Sequence, residues 1–113
     1  MRRWAVDPEE MPWLMNAADC LVLTSSIEGS PNVVKEALMC DLPVVATPAG
    51  DVEELLAGVE PSFVRPPDAQ ALGEALAECL RRRARSNGRE VARRLAVDEV
   101  ARRVLGVYAE LAP

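Results

Sequence analysis

Short apolar runs alternate with amphipathic stretches along the chain. Residues 20–23 and 43–46 are wholly apolar, as expected of strands that are buried on both faces. Residues 62–64 form a weaker run of the same kind. Because helix-like stretches separate these runs, the pattern predicts an α/β fold: a Rossmann-like parallel sheet of about three strands with flanking helices.

Capping signals and apolar spacing predict where the helices lie. A short polar side chain before a helix accepts hydrogen bonds from its first amides, and a proline is tolerated in the first turn. Such signals predict six helices: about 8–16 after Asp7, from Pro31 after Ser30, about 51–57 with Asp51 as cap, a long one after Asp68, about 89–95, and 99–111 after Asp98.

Length and composition fit one globular domain without metal or disulfide support. The chain has 113 residues, half of them apolar, and no apolar run approaches the roughly 20 residues that cross a bilayer. Its start lacks a signal-peptide core, so a soluble cytoplasmic protein is expected. The cysteines Cys20, Cys40 and Cys79 are odd in number and widely spaced, which is typical of small buried side chains in a reducing compartment.

The absence of histidine excludes several kinds of chemistry. The chain has none, so it lacks the usual zinc ligands, the Ser-His and Cys-His nucleophile pairs, and the commonest general base. Most hydrolase classes are therefore excluded. The sequence predicts no metal site and no cofactor.

Charge is distributed unevenly along the chain. The net charge is −5, yet residues 81–113 carry nine basic and four acidic side chains, with seven arginines between Arg81 and Arg94. One interpretation is a solvated helical face that balances the acidic remainder. The alternative is contact with phosphates or with an anionic membrane surface, as a peripheral protein. Nucleic-acid binding is not expected, because the overall balance is acidic and no aromatic residue interrupts the arginine run.

The segment after the first predicted strand carries the strongest candidate chemistry. In doubly wound sheets, ligands bind beyond the carboxyl ends of the strands, where loops lead into helices. Gly29 permits close approach of the backbone, and the amides at the start of the next helix suit a diphosphate without a metal ion. Glu28 in the loop and Glu36 on the helix both carry acceptor oxygens suited to sugar hydroxyls.

Several motifs in order resemble one enzyme family. Residues 28–37, EGSPNVVKEA, followed by 42–47, LPVVAT, resemble the E-x7-E region of retaining GT-B glycosyltransferases of the glycosyltransferase group 1 family. The flanking segments NAADCLVLTS at 16–25 and GDVEEL at 50–55 are similar to that family too. The resemblance spans about residues 8–80, and the order of several motifs makes it specific.

The resemblance implies roles for individual residues. Glu28 matches the first glutamate, which contacts the donor sugar and is the candidate catalytic residue. Glu36 matches the second glutamate, which binds the ribose hydroxyls of the nucleotide. The residues expected to line the donor sugar and diphosphate are Glu28, Gly29, Ser30, Pro31, Asn32 and Val33, although proline offers no amide. Family members often carry an aromatic residue where Ser30 stands.

The resemblance also implies what the chain does and what it needs. It predicts that residues 1–113 form part of a GT-B C-terminal, nucleotide-sugar-binding domain, with a helical Arg-rich region at about 81–113. As part of a complete enzyme, this domain would bind the donor for the transfer of a hexose from a nucleotide-diphosphate sugar to an acceptor such as a lipid-linked or polysaccharide intermediate. The resembled enzymes take their acceptor cleft and two diphosphate-neutralising cations from upstream segments, so the isolated chain is expected to be inactive.

Two alternatives to a glycosyltransferase remain open from the sequence. The chain could be a stand-alone α/β interaction module without nucleotide binding, or part of a GT-B nucleotide-sugar epimerase. A further expectation concerns self-association. A chain that begins partway through a Rossmann-like half should leave a strand edge open, and such an edge favours pairing with a second copy. The competing expectation is that the Arg-rich C-terminal helices cover the edge and keep the chain monomeric.

Overall fold

Three short parallel strands form one sheet in the computed structural model, which describes residues 5–112. The strands are β1 (Leu21–Leu23), β2 (Val44–Ala46) and β3 (Ser62–Val64), in the order β1-β2-β3. Leu21 of β1 aligns with Val44 of β2, which aligns with Ser62 of β3. Parallel alignment brings the carboxyl ends of all three strands to one edge. The predicted α/β fold with about three parallel strands is confirmed.

Within residues 5–112 there are six helices; the first five pack on the two faces of the sheet, whereas the last has no buried residue. The helices are α1 (Met11–Ala17), α2 (Asn32–Met39), α3 (Val52–Leu56), α4 (Ala69–Arg82), α5 (Gly88–Ala92) and α6 (Val97–Leu111), with a 3-10 turn (Arg93–Leu95) between the last two. Successive side chains of a strand point to opposite faces. Val44 and Ala46 accordingly pack in one core with α1, α2, α3 and α5, whereas Val45 packs against Ala75 and Cys79 of α4.

The first helix begins three residues later than predicted, and Pro12 explains why. A helix starting at Pro8 would need the amide of residue 12 to donate to the carbonyl of Pro8, and proline has no amide hydrogen. The chain instead turns at residues 8–10, where the Glu10 amide donates to the carbonyl of Asp7 at 2.9 Å. Pro12 then lies in the first turn of α1, where a missing donor costs nothing.

Three other predicted helix starts also need correction. The helix α2 begins at Asn32 with Pro31 as the preceding residue, and Ser30 does not cap it. The Asp51 side chain does not cap α3. The helix α6 begins at Val97, and Asp98 lies in its first turn without acting as the cap. The prediction for α4 is confirmed, because the Asp68 carboxylate accepts a hydrogen bond from the Ala71 amide at 2.8 Å.

Arginines of the basic run bind backbone carbonyls at the ends of other helices. Arg85 donates to the carbonyls of Ala18 and Cys40, which follow α1 and α2, each at 2.8 Å, and to that of Met15 at 3.2 Å. Arg89 donates to the carbonyl of Met39 at 3.0 Å, and Arg94 to that of Glu54 at 3.2 Å. These carbonyls lie in or just after the last turns of helices, where carbonyls generally lack intrahelical donors.

These contacts change the interpretation of the basic run. A cation at the carboxyl end of a helix is favourable for the helix dipole, and Arg85 serves two helices at once. The arginines that bind carbonyls are therefore part of the fold, holding the C-terminal segment against α1, α2 and α3. Arg81, in contrast, pairs with Glu78 on the surface, as a solvated helical face would.

The three cysteines differ in burial, since Cys79 is buried whereas Cys20 and Cys40 are half-buried. Cys20, Cys40 and Cys79 are all free thiols. Burial raises the pKa of Cys20 to about 12, with a further contribution from the neighbouring Cys79, and burial also raises the pKa of Cys79. Both therefore stay protonated at neutral pH. Within residues 5–112, no helix is both long and apolar enough to cross a bilayer.

Candidate functional site

Two loops meet at the carboxyl edge of the sheet. The β1–α2 loop (residues 24–31) carries the predicted donor-binding residues, and the β2–α3 loop (residues 47–51) follows the neighbouring strand. Because β1 and β2 are parallel and adjacent, both loops leave the sheet on the same side. This edge is the expected ligand-binding position of an open α/β sheet.

The β2–α3 loop holds the beginning of the β1–α2 loop through Thr47. This residue is only 3% exposed. Its amide donates to the carbonyl of Leu23 at 3.0 Å, and its hydroxyl donates to the carbonyl of Ser25 at 2.6 Å. Thr47 thereby continues the β1–β2 pairing beyond the strand and fixes the point where the β1–α2 loop leaves the sheet.

A second set of contacts joins the end of the β1–α2 loop to Gly50 and Asp51. The Asp51 amide donates to the carbonyl of Gly29 at 3.0 Å, and the Ser30 hydroxyl donates to the Asp51 carboxylate at 2.6 Å. Gly50 has φ +57°, and a β-carbon there would lie 2.1 Å from the Gly29 carbonyl oxygen. Only glycine allows the two backbones to approach this closely.

The predicted donor-binding residues lie together at the start of α2. Pro31 is buried, Glu28 and Val33 are half-buried, and Gly29, Ser30 and Asn32 are exposed. The amides of Asn32 and Val33 lie in the first turn of α2, where backbone donors have no intrahelical acceptors. The segment thus offers backbone donors and the positive end of the helix dipole beside the half-buried carboxylate of Glu28.

Glu36 lies further along α2, and its surroundings differ from those of Glu28. Its exposed side chain lines a groove of about 350 Å³, which is formed by α1, α2 and residues 95–97. The groove walls are largely apolar, including Met11, Met15 and Met39, and residues 28–33 are not among the lining residues. Glu36 therefore lies at the margin of this apolar groove, about one turn further along α2 than Asn32.

Sequence reasoning missed Thr47, Gly50 and Asp51 as part of this site. The sequence predicts Asp51 as a helix cap within a segment similar to the family, without a role in the site. A signal was present, because the turn-rich segment TPAGD follows the second predicted strand, and parallel neighbouring strands end at one edge of a sheet. Among residues 5–112 no group of histidine, cysteine or acidic side chains is arranged to hold a metal ion.

Comparison with known proteins finds a matching family and a related protein for the part of the chain that contains this site. The family model for glycosyl transferases group 1 matches residues 3–82, a range that contains both loops and Glu36. A relative from Bacillus subtilis (strain 168), named "Putative teichuronic acid biosynthesis glycosyltransferase TuaC", is 45% identical over 60 residues. That alignment covers 53% of this chain and 15% of the relative. No solved structure matches the chain significantly.

The family match covers the elements that build the site. It extends from before α1 to the end of α4, and so includes all three strands, the two loops that meet at their carboxyl ends, and the helices on both faces of the sheet. The aligned part is a small share of the relative's length, whereas the family model matches most of this chain. The chain belongs to the glycosyl transferases group 1 family.

Proposed function

We propose that this chain is the donor-binding part of a retaining GT-B glycosyltransferase that transfers a hexose from a nucleotide-diphosphate sugar. The observation that carries the proposal is the position of the Glu28 loop and the start of α2, at the carboxyl edge of a parallel sheet inside the family-matched range. Helix starts at this edge bind phosphates through backbone amides and the helix dipole. Carboxylates beside them can accept hydrogen bonds from sugar hydroxyls.

Each end of the E-x7-E segment has a separate proposed role. Glu28, half-buried in the loop, would contact the donor sugar near the reacting carbon. The amides around Gly29 and Asn32–Val33 would face the diphosphate, and Glu36 would accept hydrogen bonds from the ribose. The exposure of Glu36 supports this division, because its carboxylate is free to meet a ligand from solvent.

The complete reaction requires more than this chain. The aligned segment covers 15% of the Bacillus subtilis relative, so we propose that an N-terminal GT-B domain supplies the acceptor cleft and the cations that neutralise the diphosphate. Between residues 5 and 80 the basic side chains are Lys35 and Arg65. The Arg65 guanidinium lies over the Phe63 ring. Without further cations the leaving diphosphate would be poorly stabilised, and the isolated chain would bind donor without turning it over. A polysaccharide or lipid-linked intermediate is the proposed acceptor.

The division of roles predicts different effects for the two glutamates. Glu36→Gln should weaken binding of both UDP and UDP-glucose, or of GDP and GDP-mannose, by about tenfold or more, since a hydrogen bond to a charged group contributes ~1.5–3 kcal/mol. Glu28→Gln should weaken binding of the sugar nucleotide and leave the free diphosphate nearly unaffected. Isothermal titration calorimetry on the two isosteric variants measures both quantities.

The same titrations distinguish the alternatives. A wild-type chain that binds none of these nucleotides would support a stand-alone interaction module and contradict the proposal. Equal losses for free diphosphate and sugar nucleotide in Glu28→Gln would overturn the separation of roles. Binding alone does not separate a transferase from an epimerase, so that choice is tested on the full-length enzyme by the appearance of either a glycosylated acceptor or a nucleotide-linked epimer.

A further inference from the structure

Asp51 touches the β1–α2 loop at two points. Its amide donates to the carbonyl of Gly29 at 3.0 Å, and its carboxylate accepts from the hydroxyl of Ser30 at 2.6 Å. These two bonds hold Gly29 and Ser30, the two residues that follow Glu28 in the loop. One residue of the β2–α3 loop thus constrains both the backbone and a side chain of the segment that enters α2.

The Asp51 carboxylate makes this contact in place of its usual one. An aspartate that precedes a helix ordinarily accepts a hydrogen bond from an amide of the first turn. The Asp51 side chain makes no such bond to α3. Its second oxygen, Oδ1, is buried without a hydrogen-bond partner, which is unfavourable for a polar atom. The bond with Ser30 thus leaves one carboxylate oxygen without a partner, and helix capping does not account for the position of the side chain.

The negative charge of Asp51 makes it unsuitable to bind the diphosphate directly. A carboxylate repels an anionic ligand, and Asp51 lies beside the residues that would face the phosphates. Its effect on such a ligand is therefore indirect, through the shape of the loop. Ser30 is the link, because its hydroxyl is directed to Asp51 and its backbone continues into Pro31 and α2.

We propose that Asp51 is a positioning residue that acts through Ser30 to hold the β1–α2 loop in the conformation that binds the donor. The proposal rests on the donor-binding function proposed for that loop. The neighbouring glycine supports it, because Gly50 brings the two backbones so close that a β-carbon would meet the carbonyls of Gly29 and Glu28 at 2.1 and 2.7 Å. Asp51 and Gly50 together make the β2–α3 loop a fixed support for the donor loop.

A double-mutant cycle on Ser30 and Asp51 tests the proposal. Ser30→Ala and Asp51→Ala should each weaken UDP-glucose or GDP-mannose binding by about tenfold, and the double variant should be no weaker than either alone. Asp51→Asn keeps an acceptor for the Ser30 hydroxyl and should stay within about threefold of wild type. Glu53→Ala, an exposed acid in the first turn of α3, is the matched control and should bind like wild type.

Hydrogen exchange of the amide of residue 51, which donates to the carbonyl of Gly29 at 3.0 Å, provides a readout in the free protein that needs no ligand. Exchange should quicken in Ser30→Ala and Asp51→Ala to the same extent, and should return towards wild type in Asp51→Asn. Additive effects in the cycle, or full donor affinity in Asp51→Ala while Glu36→Gln loses it, would overturn the positioning role and leave the proposed function standing. If no nucleotide sugar binds the wild type, the proposed function fails, and unchanged exchange in both alanine variants would remove the positioning contact as well.

Discussion

Gly50→Ala should destabilise the protein by about 3 kcal/mol or more and abolish ordered contact between the two loops. Two costs combine at this position. The backbone has φ +57°, which is unfavourable for any residue with a β-carbon. The new methyl group would also lie 2.1 Å from the Gly29 carbonyl oxygen. The backbone of one of the two loops would therefore have to move. Chemical denaturation followed by circular dichroism measures the loss.

Gly58→Ala is the matched control for this prediction. Gly58 has φ +80°, but a β-carbon there would have no atom within 4 Å. Its replacement should therefore cost only the conformational penalty, about 1 kcal/mol. Similar losses in the two variants would mean that the close approach of Gly50 to Gly29 contributes little, and would weaken the account of the β2–α3 loop as a support.

Arg85→Ala should lower the free energy of unfolding by about 2 kcal/mol, an unusually large effect for an exposed arginine. Its guanidinium binds the carbonyls of Ala18 and Cys40, each at 2.8 Å, and that of Met15 at 3.2 Å. Removal leaves the ends of α1 and α2 without these donors. Arg85→Lys should recover only part of the loss, because an ammonium lacks the planar fork that reaches several acceptors.

Arg81→Ala provides the comparison within the same basic run. Arg81 is an exposed partner of Glu78 three residues earlier, and exposed pairs of this kind contribute ~0–1 kcal/mol. Thermal unfolding of the three variants under identical buffer conditions ranks the effects. If Arg81→Ala costs as much as Arg85→Ala, the stabilisation comes from general charge balance and the carbonyl contacts are incidental.

The positions of the strands were predictable from the sequence because the strands lie in short apolar runs. Cys20–Leu23 and the run ending at Ala46 are apolar at every position, which predicts burial on both faces. This is confirmed for β2, which is buried throughout, but not for the edge strand β1, where Val22 is 42% exposed. The observed strands β1, β2 and β3 lie within the predicted runs. The cap at Asp68 was also predictable, because its hydrogen bond to Ala71 is local in sequence.

Contacts between distant segments could not be read from local patterns. Asp51 carries a capping signal, yet its carboxylate accepts from Ser30, 21 residues away. Arg85 looked like part of a solvated run, yet it binds carbonyls 45 and 67 residues earlier in the chain. In both cases a tertiary partner competes successfully with the local one. The proposed roles of Glu28 and Glu36, and self-association through an open strand edge, stay predictions.

We propose above all that a nucleotide-diphosphate sugar binds where the β1–α2 loop enters α2. Backbone NMR of the chain, titrated with UDP-glucose and separately with GDP-mannose, tests it most directly. We expect one of them to shift the amides of residues 28–30 and 32–36 most strongly. Glu36→Gln should reduce the effect, and Met11 and Met15 in the apolar groove should change little. Shifts confined to the groove, or no shift with either sugar nucleotide, would contradict the account.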